Sequence, residues 1–349
     1  MRRALRWSAL LAIAAGTAVG GCRGLLGIDP LPELEGGSDA GASEASPADG
    51  DSDAQFMETT GSAAGWTMQV SGTTTTLLGV WGVMTGSTED IYAVGDNGTI
   101  LHSTGDGTWI AQDAGASTGA PLTGVWGSDA AHVFVTSTNG LLASSSAGGT
   151  WSFLAGAPTD LNCIWGTSDL DFYVGGRQGL FHVLASQVIL ENAPGLRPLG
   201  IFGFGVSDVY AVGTSGTEPF IVQSTGDGGW SSELHVTPSA PSPELLGIWG
   251  SGPNDLYAVG HAPYIVYSTG DGTWTGEVHA GIDAPMDAVW GSSSSNIYAV
   301  TTASILHSGG VGSAWTYENV GTSAWLGIWG SGPDDIYVVG SGGAIVHHP

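Results

Sequence analysis

Residues 244–279 read ELLGIWGSGPNDLYAVGHAPYIVYSTGDGTWTGEVH, four short apolar segments separated by polar turns. The segments ELLGIWG, LYAVG, IVYS and TWTGEVH are rich in Ile, Val, Tyr and Trp, and Gly, Pro, Asp and Asn stand between them. This composition and spacing are typical of β-strands joined by short turns. The unit therefore predicts a four-stranded sheet.

This unit recurs along the chain, and an aromatic residue followed by glycine marks each copy. The anchor aromatic residues of the seven copies are Trp81, Trp126, Trp165, Phe202, Trp249, Trp290 and Trp329. Four-stranded units about 40 residues long match the blades of a β-propeller. No continuous helical pattern of ten or more residues follows residue 22. We therefore predict an all-β fold, a seven-bladed β-propeller over residues 65–349.

The two ends of the array complement each other. The seventh unit ends with IVHHP (345–349) and has no fourth segment, whereas GWTMQV (65–70) precedes the first unit and matches the fourth segments GTWIAQ, GTWSFL and GTWTGE. Closing a ring of blades removes exposed sheet edges, which favour aggregation. We therefore predict that the N-terminal strand closes the last blade.

A turn motif separates the third and fourth segments. HSTGDGTW stands at 102–109 and returns as YSTGDGTW at 267–274. The motif places an Asp-Gly pair in the turn at Asp106-Gly107, Asp227-Gly228 and Asp271-Gly272. An Asp-Gly pair suits a type I′ hairpin turn, in which both central residues have positive φ. We therefore predict a tight hairpin at each copy.

The motif resembles the Asp-box, or BNR repeat, of sialidases, sortilin-like receptors and photosystem assembly propellers. Ser103, Asp106, Gly107 and Trp109 keep the residue types of that repeat with altered spacing. The resemblance implies a folding turn on the face opposite the ligand. The motif's Asp is missing from the second, third and sixth units, so it does not belong to a ring of catalytic acids. The anchor aromatic residues are likewise better explained by packing between neighbouring blades than by sugar platforms.

Residues 1–22 have the order of a secretory signal, with three arginines, the apolar run SALLAIAAGTAV and a small-residue exit. The sequence VGGC at 19–22 resembles the lipobox of bacterial lipoproteins, which implies cleavage before Cys22 and its acylation. A plain signal peptide is the alternative. Two or more acyl chains hold a protein firmly at a membrane. We therefore predict a lipid-anchored protein of the cell envelope, at the outer membrane or cell surface, with Cys163 as a buried free thiol.

Residues 23–64 are rich in Gly, Ala, Ser, Asp and Glu and nearly free of aromatic residues. Such a composition does not bury enough apolar surface to offset its ordering entropy, so we predict an acidic low-complexity tether. Its DGDSD (49–53) has alternating carboxylates, but it lacks the Gly and the distant Glu of an EF-hand loop. We predict no cofactor, with calcium on acidic turns as the alternative.

The charge balance limits the possible partners. The chain has 32 acidic residues, six arginines and no lysine, for a net charge of -26. An acidic surface repels the phosphate backbone of nucleic acids. We therefore predict no nucleic-acid partner, and the sequence leaves the oligomeric state open.

The catalytic sets of known propeller enzymes are incomplete. Sialidases hold their substrate with an arginine triad, whereas residues 65–349 contain only Arg177 and Arg197. Glycosidases need two carboxylates set apart across the sugar, but most acidic residues fall in first-to-second strand turns, on the rim of the turn motif. The nine histidines show no Ser-His-Asp or zinc spacing. We therefore predict no catalytic residue and no metal ligand.

Candidate ligand-binding residues are those that break the repeat, because a ligand site needs asymmetry. The loops between second and third segments provide them: Arg177, Gln178, Glu218, His261 and Tyr264. Arg177 is a natural partner for an anionic ligand or carboxylate, although it could instead neutralise nearby acidic residues. The ligand face of a propeller usually carries these loops and the links between blades.

The sequence therefore favours a non-catalytic binding module, anchored by lipid, that engages a carbohydrate or protein ligand. Two other functions stay open. One is a glycoside hydrolase or lyase of the Asp-box propeller group, and the other is a scaffold in a cell-envelope assembly.

Overall fold

The fold is a ring of seven four-stranded antiparallel sheets. The structure, a computed structural model, describes residues 65–115, 119–144, 150–191, 195–216, 218–226, 229–232, 244–261, 264–278, 284–318, 320–321 and 323–349. The predicted seven-bladed β-propeller is confirmed. The predicted signal segment, Cys22 and the tether lie outside the described residues, so the boundaries at 22 and 64 stay predictions.

The strands follow one another in sequence order within each blade. Blade 1 has β2 (Leu77–Thr85), β3 (Thr88–Gly95), β4 (Ile100–Ser103) and β5 (Ile110–Gln112); blade 2 has β6 (Leu122–Asp129), β7 (His132–Ser137), β8 (Gly140–Ser144) and β9 (Trp151–Phe153). Blade 3 has β10 (Leu161–Ser168), β11 (Asp171–Gly176), β12 (Gly179–Leu184) and β13 (Gln187–Leu190); blade 4 has β14 (Arg197–Gly205), β15 (Asp208–Thr214), β16 (Pro219–Ser224) and β17 (Trp230–Ser232). Blade 5 has β18 (Leu245–Gly252), β19 (Asp255–Gly260), β20 (Tyr264–Ser268) and β21 (Thr275–Val278); blade 6 has β22 (Met286–Ser293), β23 (Asn296–Thr301), β24 (Ile305–Ser308) and β25 (Trp315–Glu318). Blade 7 has β26 (Trp325–Gly332), β27 (Asp335–Gly340), β28 (Ile345–His348) and β1 (Thr67–Gln69). Single 3₁₀ turns occupy Asp96–Gly98 and Ser341–Gly343.

Strand β1 closes the ring as predicted. It pairs antiparallel with β28, and Thr67 lies opposite His347 and Gln69 opposite Ile345. Just before β1, the buried Trp66 packs edge-on against Tyr298 of blade 6, with 6.1 Å between ring centroids. The last blade therefore combines both ends of the propeller, and hydrogen bonds and side-chain packing, without a covalent link, hold the ring closed there.

The aromatic-glycine pairs pack neighbouring blades together. The indole of Trp81 lies over Gly127 of the next blade, where an added Cβ would be 2.7 Å from Cη2 of the indole. The same contact recurs from Trp165 to Gly203, Trp249 to Gly291, Trp290 to Gly330 and, across the closure, Trp329 to Gly82. Only a residue without Cβ leaves room for the indole. This packing explains why the anchors repeat.

A second set of tryptophans links the outer strands. Trp109 Nε1 donates a hydrogen bond to Gln69 of β1 at 2.7 Å, and Trp151 Nε1 donates to Gln112 at 2.8 Å. Each of these indoles also packs edge-on against a tyrosine of the preceding blade, Tyr337 and Tyr92 respectively. Hence the "TW" that begins a fourth segment contacts the blade before it.

The turn motif differs from the tight hairpin that we predicted. Strand β4 ends at Ser103 and β5 begins at Ile110, so the connection is longer than a two-residue hairpin. Positive φ occurs at Gly105 and Gly107 (81° each) and not at Asp106, which shows that the type I′ prediction is wrong. The Asp106 carboxylate instead accepts a hydrogen bond from the Thr108 amide at 2.8 Å.

The second copy of the motif has the same geometry, with Gly270 and Gly272 at positive φ. Asp271 accepts a hydrogen bond from the Thr273 amide at 3.0 Å. The carboxylate thus closes a wider loop by bonding its own backbone two residues on, as Asp often does in turns. The third copy, at Asp227-Gly228, lies outside the described residues.

We expect the exchange Asp106→Ala to lower the free energy of unfolding by at most about 1 kcal/mol, because one exposed side-chain hydrogen bond is lost. Ligand binding should stay unchanged, since the motif lies on the rim opposite the loops between second and third strands. Thermal unfolding and a binding titration of the two proteins measure both effects. A large loss of affinity would contradict a purely structural motif.

Candidate functional site

A cavity of about 310 Å³ opens on one rim of the ring, between blades 3, 4 and 5. The residues that line it are Arg177, Gln178, Gly195, Leu196, Arg197, Thr214, Ser215, Gly216 and Glu244. They come from the β11–β12 loop, the segment that enters β14, the β15–β16 loop and the residue before β18. All four segments belong to the rim that the sequence indicates as the ligand face.

Two of the five predicted ligand-binding residues line this cavity, and two more, Glu218 and His261, contact residues that line it. Arg177 and Gln178 line it. The Glu218 carbonyl accepts hydrogen bonds from the hydroxyl groups of two lining residues, Thr214 at 3.4 Å and Ser215 at 3.3 Å.

Beyond Glu218, His261 Nδ1 lies 3.6 Å from Oε2 of Glu244. The backbone of Tyr264 begins β20, but its side chain lies outside the described part. Arg177, Gln178, Glu218 and His261 thus lie in or next to the cavity. Their role in ligand binding stays a prediction.

Sequence reasoning missed the other lining residues, of which Arg197, Thr214, Ser215 and Glu244 carry polar side chains. Arg197 carried a usable signal, because it is the other arginine of residues 65–349. Thr214 ends β15, Ser215 follows it in the loop and Glu244 precedes β18, and none of the three stands in a distinctive motif. Their proximity follows from the positions of blades 3, 4 and 5 in the ring, which the sequence does not specify loop by loop.

The two guanidinium groups at the cavity belong to Arg177 and Arg197. Among the described residues, neither Arg177 nor Arg197 forms an ion pair with a carboxylate. Arg197 Nε is buried and has no hydrogen-bond partner in that part of the chain. An unpaired buried donor costs free energy. The lining thus carries two guanidinium groups and one carboxylate, that of Glu244, and within the described residues neither guanidinium group is paired with it.

Backbone hydrogen bonds fix the loops that carry these groups. The Arg177 amide donates to the Asp160 carbonyl at 3.0 Å, and the Gln178 side chain donates to Thr159 Oγ1 at 2.8 Å. The His261 amide donates to the Glu244 carbonyl at 2.9 Å. The loop backbones are thus held by the scaffold while the guanidinium groups remain available to a ligand.

A repeated polar cluster lies near the opposite rim. In blade 1, Tyr92 stacks on His102, whose Nε2 lies 3.0 Å from Oδ1 of Asp90. The same tyrosine–histidine–aspartate set occurs as Tyr173–His182–Asp171 and Tyr337–His347–Asp335. Blade 6 has Tyr298–His307–Asn296, and blade 4 has Tyr210–Gln223–Asp208.

The sequence did not reveal these His–Asp pairs, because the two residues of each pair lie on neighbouring strands of a hairpin and not at a short spacing along the chain. The recurring Asp-x-Tyr at the start of second strands was the available signal. Since the cluster repeats in blade after blade with conservative replacements, it belongs to the scaffold.

One carboxyl pair breaks this symmetry at the ring closure. Glu89 of blade 1 accepts a hydrogen bond from Tyr337 Oη of blade 7 at 3.1 Å. Burial, followed by the hydrogen bond and the charge of the neighbouring Asp335, raises the pKa of Glu89 to about 8. Burial also raises the pKa of Asp335, but hydrogen bonds from His347, Glu89 and Ser331 outweigh it and lower that pKa to about 2. These shifts favour a protonated Glu89 beside an ionised Asp335 at neutral pH.

The described residues offer few other site features. They contain no group of three or more His, Cys, Asp and Glu side chains arranged to hold a metal ion. Within the same ranges, no helix is long and apolar enough to cross a bilayer. Cys163 is fully buried and unpaired, as we predicted.

Comparisons with known proteins identify the fold and no family. No protein-family profile matches the chain, and no curated protein sequence matches it. A solved structure of YCF48 bound to D1 peptide is 16% identical, covers 81% of this chain and 96% of its own, and has a TM-score of 0.66. YCF48 from Cyanidioschyzon merolae is 13% identical over 82% and 98% of the two chains, with a TM-score of 0.63.

A catalytically inactive variant of virginiamycin B lyase from Staphylococcus aureus, solved with quinupristin, is also similar. It is 14% identical, covers 81% of this chain and 98% of its own, and has a TM-score of 0.67. Because all of these identities are below 25%, the likeness extends to the β-propeller fold alone.

Proposed function

We propose that the protein is a non-catalytic binding module that engages a carbohydrate or protein ligand through the rim that carries the cavity. One observation carries the proposal: the cavity is built from loops that differ between blades, whereas the opposite rim and the blade junctions repeat. A ligand site needs such asymmetry and a scaffold does not. The structure of YCF48 with a peptide supports the protein alternative, since that propeller binds a peptide.

The module would be displayed on a membrane. A lipid at Cys22 and a tether over residues 23–64 would place the propeller at the outer membrane or cell surface, and the altered Asp-box turns would face away from the ligand. The exchange Cys22→Ser tests the anchor: we expect loss of fatty-acid incorporation and release of the protein from the membrane fraction. A Cys22→Ser protein that remains membrane-bound would contradict this localisation.

A glycan array and a pull-down from envelope extracts, both with the full chain, test the binding function. We expect at least one ligand that binds the wild type and not a variant in which Arg177 and Gln178 are both replaced by alanine. Two empty screens together with turnover of a polysaccharide would overturn the proposal. Calcium binding to the acidic turns is tested separately with a chelator. A melting temperature that the chelator leaves unchanged would contradict calcium binding.

A lyase is the second candidate function, and His261 favours it. Its imidazole lies beside Glu244 at the edge of the cavity, and an elimination needs a base near an acidic C–H bond. The similar fold of virginiamycin B lyase agrees with this alternative. A glycosidase finds less support, because Glu244 is the one carboxylate that the described part of the chain contributes to the lining. The exchange His261→Ala should abolish a lyase activity, and a variant that keeps full turnover would contradict this candidate.

The third candidate is a scaffold in a cell-envelope assembly. It predicts partners that co-purify with the protein after the cavity arginines are replaced, because scaffold contacts need not involve the cavity. Co-purification from cells that express wild type or the Arg177→Gln variant separates this function from a cavity-based one.

A further inference from the structure

We infer that the cavity binds the carboxylate of an acidic sugar, with Arg177 and Arg197 as its partners. The inference rests on the proposed binding function and names the ligand class. It depends on the charge and the hydrogen-bonding capacity of the lining residues.

The charge of the cavity points to an anion. The chain has 32 acidic residues and a net charge of -26, so an arginine on its surface has many possible acidic neighbours. Even so, the two arginines of the propeller line the same cavity, and within the described ranges neither pairs with a carboxylate. A guanidinium group binds a carboxylate through two parallel hydrogen bonds. A bound anion would therefore supply the partner that the folded chain withholds.

The anion carries a single negative charge. Glu244 also lines the cavity, so two guanidinium groups and one carboxylate leave room for one further negative charge. The strongly acidic surroundings repel a dianion more than a monoanion. A carboxylate fits this balance, and a phosphate monoester, with nearly two charges at neutral pH, fits it less well.

The remaining lining groups offer hydrogen-bond acceptors. The Thr214 and Ser215 hydroxyls donate to the Glu218 carbonyl, so their oxygen atoms can accept. The Gln178 amide nitrogen donates to Thr159, which leaves its carbonyl oxygen as an acceptor, and Glu244 adds a carboxylate. Hydroxyl groups are the matching donors.

A ligand with one carboxylate and several hydroxyl groups satisfies both sets, as a uronic acid does. Leu196 is the only large aliphatic side chain of the lining, so the site offers little to an apolar peptide side chain. The volume of about 310 Å³ is at the small end for ligand sites, which suits a short segment of an acidic glycan.

Calorimetric titration of the full chain with galacturonate, which carries one carboxylate, tests the inference. We expect binding that weakens at least tenfold when the probe is replaced by its methyl ester, because the ester has no charge. Arg177→Gln and Arg197→Gln should each weaken binding about 10- to 100-fold, as loss of a hydrogen bond to a charged group does. Gln187→Glu is the matched control: it also lowers the net charge by one, but on the exposed part of β13 near the opposite rim, and we expect unchanged affinity.

Several outcomes would overturn the inference. They are equal affinity for acid and ester, no binding of galacturonate, and preference for inorganic phosphate or for a peptide with a free terminal carboxylate. Thermal unfolding of each variant shows whether it is folded. If a ligand found by array or pull-down still binds both arginine variants, the result supports the binding function and contradicts the carboxylate site. If no ligand of any kind binds the wild type, the proposed function falls as well.

Discussion

Replacing Gly82 by alanine is expected to lower the free energy of unfolding by about 1–3 kcal/mol, the usual cost of overpacking a core. The added methyl group would lie 2.7 Å from the indole of Trp329 and 3.1 Å from the Asp90 carbonyl. Trp329 is almost fully buried, so its ring has little space into which to move. The clash falls at the junction between blades 7 and 1, where the ring is closed without a covalent link.

Thermal and denaturant unfolding measure this effect, and Gly252→Ala is the matched control. Gly252 ends β18, and an added Cβ there meets no atom within 4 Å. Its backbone is outside the left-handed region, so alanine should change stability by less than about 0.5 kcal/mol. If both variants unfold at the wild-type midpoint, the indole-on-glycine contact does not stabilise the ring.

The same contact explains why the sequence predicted the fold so fully. Packing of an anchor indole on a glycine of the next blade recurs at five of the seven junctions, as for Trp81 on Gly127 and Trp329 on Gly82. The contact therefore repeats the same residue types at nearly regular intervals along the chain. Each blade has four strands. The pairing of Thr67–Gln69 with β28 supplies the fourth strand of blade 7. Repetition makes such features visible.

The cavity was harder to predict for the opposite reason. Arg177 stood out as a rare cation in a loop, but Arg197 lies at the start of a strand and Glu244 in a blade link. The three meet because blades 3, 4 and 5 are neighbours in the ring, and side chains at the ends of adjacent blades converge there. Loop positions of this kind do not repeat, so no period reveals them.

The turn motif shows a third limit. Asp106-Gly107 has the composition of a two-residue hairpin turn, yet Gly105 and Gly107 take the positive φ values and the Asp106 carboxylate bonds the backbone of Thr108. The length of the connection, from Ser103 to Ile110, selects this loop. Residue pairs alone did not distinguish the two geometries.

The carboxyl pair at the closure makes stability depend on pH, and Glu89 has the larger effect. Its pKa is about 8 in the folded protein, against 4.5 for the ordinary side chain. Because the folded state holds the proton more tightly, the contribution of Glu89 is fully present below pH 4.5 and is lost as pH rises to about 8. Asp335 has the opposite sign: its pKa is lowered from 3.8 to about 2, so its contribution is lost as pH falls through that range.

We therefore expect Glu89→Gln to stabilise the protein at pH 8 and to have little effect near pH 4.5. Glutamine keeps an acceptor for Tyr337 and a donor for Asp335 but has no proton to lose. After a discount for solvent screening at this partly exposed site, the gain at the alkaline end is about 1–2 kcal/mol. The measured quantity is the difference in unfolding free energy between variant and wild type at each pH.

Asp334→Asn is the matched control for this experiment. It removes a carboxylate next to Asp335, but its side chain is exposed, so its effect on stability should vary little with pH. If wild type and Glu89→Gln lose stability in parallel from pH 4.5 to 8, Glu89 does not hold its proton across the closure. If the difference grows with pH only for Glu89→Gln, the proton on Glu89 stabilises the junction at which the two ends of the propeller meet.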